Sequence, residues 1–189
     1  MADAYLTLLE KHGKAVVQGL SPASPAARTA FAASCAEVLY PLWVTYCDDV
    51  GEPDERLVRA ALDACWEWAA SGATRGVDPA DLADEVAELA PRSDESPSKL
   101  APWGQNAARA TAAALDAWPG AAVDRVAAAS IRVVESLDYV ADPREPGDLE
   151  VIRTELDRQQ RALASDPASA RVEATRSEVA AFIRRRWNH

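Results

Sequence analysis

The sequence contains few of the residues that build metal, redox and nucleophilic sites. Its 189 residues include two histidines, His12 and His189, and three cysteines, Cys35, Cys47 and Cys65. No Cys-x-x-Cys or Glu-x-x-His spacing occurs, so the patterns of structural zinc and di-iron bundle sites are missing. A thiolate nucleophile needs a base, and the spacing brings neither histidine to a cysteine. We therefore predict no catalytic residue, no metal and no cofactor, and cysteines that pack as small buried hydrophobic side chains.

Long apolar runs and alternating β-branched runs are also missing. No stretch approaches the roughly 20 apolar residues needed to cross a bilayer. The N-terminal run MADAYLTLLEKHGK lacks the basic start and apolar stretch of a signal peptide. These absences favour a cytoplasmic protein with reduced thiols, and they leave no convincing β-strand.

Acidic residues outnumber basic residues, and this imbalance limits the kinds of partner that we expect. There are 30 acidic and 20 basic residues, which gives a net charge of -10 and a pI of about 4.7. An acidic surface repels the phosphates of nucleic acids and of anionic membranes, whereas it attracts a basic protein. We expect a protein partner that is more basic than this chain, and neither nucleic acid nor a membrane.

The residues that are abundant indicate helices. Alanine has the best helix propensity, glycine is scarce at 8, and the 12 prolines lie mostly between periodic segments. The pattern predicts one all-α domain over residues 1–189, a bundle of about eight helices built round the second, third, fifth and sixth, with Pro41 kinking or splitting the second. The predicted helices cover about 3–18, 25–49, 53–72, 78–91, 103–119, 121–142, 149–164 and 166–187.

The run CWEW at residues 65–68 raises the question of a pocket. On a helical wheel Cys65, Trp66 and Trp68 share one broad apolar arc, which is typical of a helix packed on two sides. The charged side chains point elsewhere, in a solvated series at spacings of four: Arg59, Asp63 and Glu67. The wheel favours packing over a site, and it leaves open what Glu67 faces.

Two further runs have both a structural and a functional interpretation. In WGQNAARA, the amides of Gln105 and Asn106 could cap a helix and close a loop, or they could meet a partner with Trp103 as the anchor. In IRRRW, three arginines in a last helical turn oppose the helix dipole. The alternative for that run is phosphate binding through side chains 184–186: Arg184, Arg185 and Arg186.

Several of these runs resemble blocks of one bacterial family. The run FAASCAEVLYPLWVTYCDDVGEPDERLVRAALDACWEW carries an A-E-x-x-x-P pattern and a helix ending in W-E. The run GQNAARATAAALDAW is similar to a second block, and LEVIRTELDRQQRALA to an E-L-x-R-Q block. In SIRVVESLDYVA the match to a D-x-Y block is poorer, because Asp138 is followed directly by Tyr139. The residues that carry the first and third blocks are Ala36, Glu37, Pro41, Trp66, Glu67, Glu155, Leu156, Arg158 and Gln159.

Together these blocks, over about residues 28–164, resemble the YjaG-like family, domain of unknown function 416. The first block also resembles small helical immunity proteins of bacterial toxin systems. The first resemblance implies an all-helical fold and assigns no activity, and the second implies a protein that neutralises a toxin by binding it.

The leading interpretation is a non-enzymatic protein-binding module, and its specific form is an immunity-type protein that binds and neutralises a toxin. Its candidate partner-binding residues are Glu37, Glu67, Trp103, Gln105 and Asn106. The alternative is a small-molecule-binding protein or an enzyme with a pocket near Trp66, Glu67, Gln105 and Asn106.

Overall fold

A computed structural model describes residues 2–51, 55–72, 76–92, 94–118 and 121–187. These residues form nine α-helices and no strand, so the predicted all-α class is confirmed. The helices are α1 (Ala2–Leu20), α2 (Pro25–Val50), α3 (Glu55–Ser71), α4 (Pro79–Glu88), α5 (Ala101–Asp116), α6 (Val123–Asp138), α7 (Pro146–Ala164), α8 (Pro167–Thr175) and α9 (Val179–Trp187). The predicted end of the fifth helix at Pro119 and the start of the third near residue 53 lie outside the described residues.

The segment 166–187, expected as one helix, is divided into α8 and α9. Ser177 lies at the break, where its hydroxyl accepts a hydrogen bond from the backbone N–H of Val179 (3.3 Å) and donates one to Glu155 (3.3 Å). A short polar side chain that bonds nearby backbone competes with helical hydrogen bonding. The break turns α9 so that Phe182 and Ile183 are buried.

Helix α2 lies at the centre of the bundle. Ser24 caps its start by accepting a hydrogen bond from the N–H of Ala27 (3.2 Å), as the sequence predicts. The helix continues through Pro41, so it is not split there, and it ends at Gly51, whose φ of 75° suits a residue without a Cβ. Its side chains are buried on all sides because α3, α5, α6 and α8 pack around it.

Small residues bring α2 and α5 close together. Gly104 on α5 lies against the ring of Tyr46 on α2, and a Cβ at this position would stand 2.7 Å from the Tyr46 Cγ. The alanines of both helices likewise leave room for short interhelical distances. Helix α5 therefore sits directly on the central helix, with α4 and α6 beside it.

The packing of α3 confirms the apolar arc that the wheel predicts. Cys65, Trp66 and Trp68 are 0%, 4% and 5% exposed, whereas Glu67 is half-buried. The run that suggested a pocket is thus a packing surface of the bundle core, apart from Glu67.

Candidate functional site

Glu37 is buried in the interface between α2 and α3. Its carboxylate accepts hydrogen bonds from the Arg59 guanidinium at 2.7 and 3.1 Å, and from the Trp66 indole N–H at 3.0 Å. Arg59 also lies over the ring of Tyr40, 4.8 Å from its centroid. Glu37 and Trp66, which belong to the first family-like block, are therefore joined by a hydrogen bond that ties two central helices together.

Arg59 is not the solvated residue that the wheel suggested. It bridges buried Glu37 and exposed Asp63, with an Arg59–Asp63 distance of 3.0 Å. Burial alone would lower the pKa of Arg59, but Glu37 and then Asp63 raise it above its usual value. Arg171 of α8 extends the series by binding Asp63 at 2.6 Å.

Trp103 and Asn106 point into the bundle. The Trp103 indole N–H donates to the backbone carbonyl of Ser136 (3.0 Å), and the Asn106 amide donates to the Ser136 hydroxyl (3.1 Å). They are only 3% and 4% exposed. Both side chains thus fasten α5 to α6.

Gln105 closes a loop, as the structural interpretation of the WGQNAARA run predicts. Its amide donates to the backbone carbonyl of Pro91 at 2.8 Å. The start of α5 has no side-chain cap from Gln105 or Asn106, so the capping part of that interpretation is wrong. Because Trp66 bonds to α2, Asn106 to α6 and Gln105 to the loop before α5, their polar groups are directed at three different partners.

A buried polar cluster, missed in the sequence, links α1, α6 and α7. His12 Nε2 is 2.9 Å from Gln159 Oε1 and 3.3 Å from the Ser130 hydroxyl, which itself donates to Gln159 at 2.6 Å. Burial lowers the pKa of His12, and the hydrogen bond to Gln159 opposes this only in part. The cluster favours a neutral imidazole in the folded protein.

The cluster continues into a buried ion pair on α7. Arg158 Nη2 and Nε donate to the Glu155 carboxylate at 2.7 and 2.9 Å, and Gln159 donates to the same carboxylate at 3.0 Å. Burial opposes the charge of Arg158, but Glu155 holds its pKa above the usual value. Glu155, Arg158 and Gln159 form the E-L-x-R-Q block, and the sequence signal for them was a set of polar residues on an otherwise apolar helical face.

The three cysteines are buried and form no disulfide, as predicted for packing residues. Burial raises the pKa of Cys35 and of Cys65 to about 12 in each case. A thiol with such a pKa is protonated at neutral pH, which opposes a role as nucleophile or metal ligand.

The three arginines at the end of α9 differ in their contacts. Arg186 forms an ion pair with buried Asp148 at the start of α7 and thereby anchors α9. Arg184 and Arg185 are exposed.

The acidic residues of α4 form the clearest charged surface. Asp81, Asp84, Glu85 and Glu88 are all exposed, and residues 76–91 contain no lysine or arginine. None of the four carboxylates forms an ion pair with any other described residue. We call these four residues the acidic surface.

The described residues contain neither a metal-binding cluster nor a membrane-spanning helix. No group of three or more His, Cys, Asp or Glu side chains is placed to hold a metal ion. None of the helices described combines the length and the apolar character needed to span a bilayer.

Comparison with known proteins identifies the fold. No protein-family model and no curated protein matches the sequence. The structure is similar to the crystal structure of a domain of unknown function 416 family protein from Shewanella baltica OS155, with a TM-score of 0.65. The match covers 89% of this chain and 91% of that chain, at 14% sequence identity. The resemblance to this family that the sequence motifs indicated is thus confirmed at the level of the fold.

Proposed function

We propose that this chain is a non-enzymatic protein-binding module whose acidic surface on α4 receives a basic partner protein. The observation that carries the proposal is the group of four exposed carboxylates without a basic residue among them. In its specific form the proposal is an immunity-type protein that neutralises a toxin in the cytoplasm. The immunity-protein resemblance of the first sequence block supports this form.

The electrostatics of α4 favour a cationic partner. Asp81 and Glu85 are separated by four residues, as are Asp84 and Glu88, so each pair brings two like charges together on the helix surface. Such a pair destabilises a helix by about 0.2–0.5 kcal/mol. A partner with lysines or arginines at this surface would relieve the repulsion and also accelerate association by electrostatic steering.

The shape of α4 is suited to contact with another protein. Asp78 caps the helix by accepting a hydrogen bond from the N–H of Ala80 (2.9 Å), which fixes its start. Ala83 and Val86 are buried and hold the helix on the bundle, so its charged side remains outward. Val77, which is 47% exposed, offers an apolar contact beside the charges.

The test begins with the protein encoded beside this gene. We expect that protein to inhibit growth when expressed alone, and co-expression of this chain to restore growth. The purified pair should bind with an affinity that falls as salt concentration rises, because exposed charges are screened by ions. A neighbour without toxicity, together with no binding between the purified pair, would overturn the immunity form.

A matched pair of variants tests the surface. The double variant Asp81→Lys/Glu85→Lys should weaken binding by about tenfold or more, since like charges across an interface cost several kcal/mol. The control Glu10→Lys/Asp157→Lys makes the same change in net charge at exposed positions on α1 and α7. If both doubles weaken binding equally, net charge rather than α4 is responsible, and the proposed surface is wrong.

A further inference from the structure

A cleft of about 440 Å³ lies between α7 and the α8–α9 segment. Its volume falls within the range of ligand pockets, about 300–1,000 Å³. The buried pair Glu155–Arg158 and the side chains of Val151 and Val179 line it. Because Glu155 and Arg158 neutralise each other, the exposed charges around the cleft decide which ligand it prefers.

Three contacts fix the direction in which α8 and α9 pass along α7. Glu173 binds Arg161 near the end of α7 (3.3 Å), and Ser177 binds Glu155 in the middle (3.3 Å). Beyond the cleft, Arg186 forms an ion pair with Asp148 at the start of α7. The α8–α9 segment therefore runs antiparallel to α7 along the whole cleft.

This arrangement gives the cleft two ends of opposite charge. Arg176 precedes Ser177 and so lies toward Arg161, whereas Glu178 follows Ser177 and lies toward Glu150. Glu150 and Arg161 are separated by about 16 Å along the helix axis, at 1.5 Å per residue, whereas the backbones of Arg176 and Glu178 are at most about 7 Å apart. The basic end contains Arg161 and Arg176 together with Glu173, which binds Arg161, and the acidic end contains Glu150 and Glu178.

Three of these four side chains have no partner in the described structure. Arg176, Glu150 and Glu178 are exposed, and none of them forms an ion pair with another described residue. Arg161 binds Glu173 through Nε alone, which leaves the N–H groups at the end of its guanidinium for another acceptor. The cleft thus has unused donors at one end and unused carboxylates at the other.

We propose that this cleft binds a short zwitterionic peptide, with the peptide's carboxylate at Arg161 and Arg176 and its ammonium group at Glu150 and Glu178. Guanidinium groups bind carboxylates through paired hydrogen bonds, and carboxylates accept hydrogen bonds from an ammonium group. An extended tripeptide spans about 10 Å, and the long side chains at both ends of the cleft reach over the remaining distance. The site is separate from α4, so a negative result here would not affect the protein-partner proposal, and the reverse also holds.

The test is an NMR titration of the ¹⁵N-labelled full chain with trialanine as the probe. We expect saturable shifts of amides in residues 150–161 and 173–179, with a Kd of about 1 mM or tighter. N-acetyl trialanine lacks the ammonium group and trialanine amide lacks the carboxylate. Each should therefore bind at least about tenfold more weakly than trialanine. Shifts that do not saturate, or equal affinity for all three peptides, would overturn the proposal.

Two exposed variants assign the two ends of the cleft. Arg176→Gln should weaken binding of trialanine and leave the already weak binding of trialanine amide unchanged, because the amide has no carboxylate to lose. Glu178→Gln should weaken binding of trialanine and leave the already weak binding of N-acetyl trialanine unchanged, because that peptide has no ammonium group to lose. The control Arg184→Gln removes an exposed arginine of α9 and should change none of the affinities. If the control weakens binding as much as Arg176→Gln does, the cleft is not the site.

Discussion

The buried pair Glu155–Arg158 allows one prediction to be developed in quantitative terms. Glu155 and Arg158 have side chains that are 2% and 4% exposed, and two hydrogen bonds join them. The substitution Glu155→Gln preserves the shape but removes the negative charge, so Arg158 is left buried without compensation. Breaking a buried pair in this way costs about 3–5 kcal/mol. Typical domains are stable by about 5–15 kcal/mol, so the loss would be a large fraction of the total.

The assay is urea unfolding followed by far-UV circular dichroism, with the midpoint and slope fitted for each variant. The double variant Glu155→Leu/Arg158→Met removes both charges and should cost less than Glu155→Gln alone. It still leaves the buried amide of Gln159 without its acceptor, at about 1–3 kcal/mol for an unsatisfied buried group, whereas the part-buried Ser177 hydroxyl can bond to water. The control Glu178→Gln, at an exposed position, should stay within about 0.5 kcal/mol. A cost below about 1 kcal/mol for Glu155→Gln would refute the reasoning. So would a double variant that is less stable than the Glu155→Gln protein.

Three further predictions concern packing and pH. Gly104→Ala places a Cβ 2.7 Å from Tyr46 Cγ and should lower the free energy of unfolding by about 1–3 kcal/mol, measured by urea unfolding. Gly13→Ala, in a helix with nothing within 4 Å of the new Cβ, should raise it by about 0.5–1 kcal/mol, and destabilisation there would contradict this. The lowered pKa of His12 contributes stability that is present above the unfolded value of about 6.5 and is lost as pH falls toward the folded pKa. Unfolding midpoints between pH 7.5 and 5.5 should therefore fall more steeply for the wild type than for His12→Gln, and parallel profiles would contradict the assignment.

The sequence motifs that carry the family resemblance turn out to be ties between helices. The first block joins Glu37 on α2 to Trp66 on α3, and the third joins Gln159 on α7 to Ser130 on α6. A polar residue in a core is stable only when its partner is in place, so such a pair constrains the packing of two elements. The motifs therefore bear on how the helices pack, and they assign no activity.

The sequence by itself determined the features that depend on neighbours within one or two helical turns. Ser24 and Asp78 cap helices because their oxygens bond to N–H groups two or three residues ahead. Periodicity placed Cys65, Trp66 and Trp68 in the core, since residues three and four apart share a helix face. The helical class and the approximate bounds of the helices follow from the same short-range physics.

Only the tertiary structure decided which distant residues meet. His12 and Gln159 are 147 residues apart in sequence, and their contact depends on how α1 and α7 pack. Trp103 was expected as a candidate anchor for a partner, yet its indole bonds inside the bundle. The two-ended cleft likewise exists because Ser177 divides the last predicted helix and aligns its halves against α7. Local patterns carry no information about such pairings, because the free energy that selects them comes from packing the whole core at once.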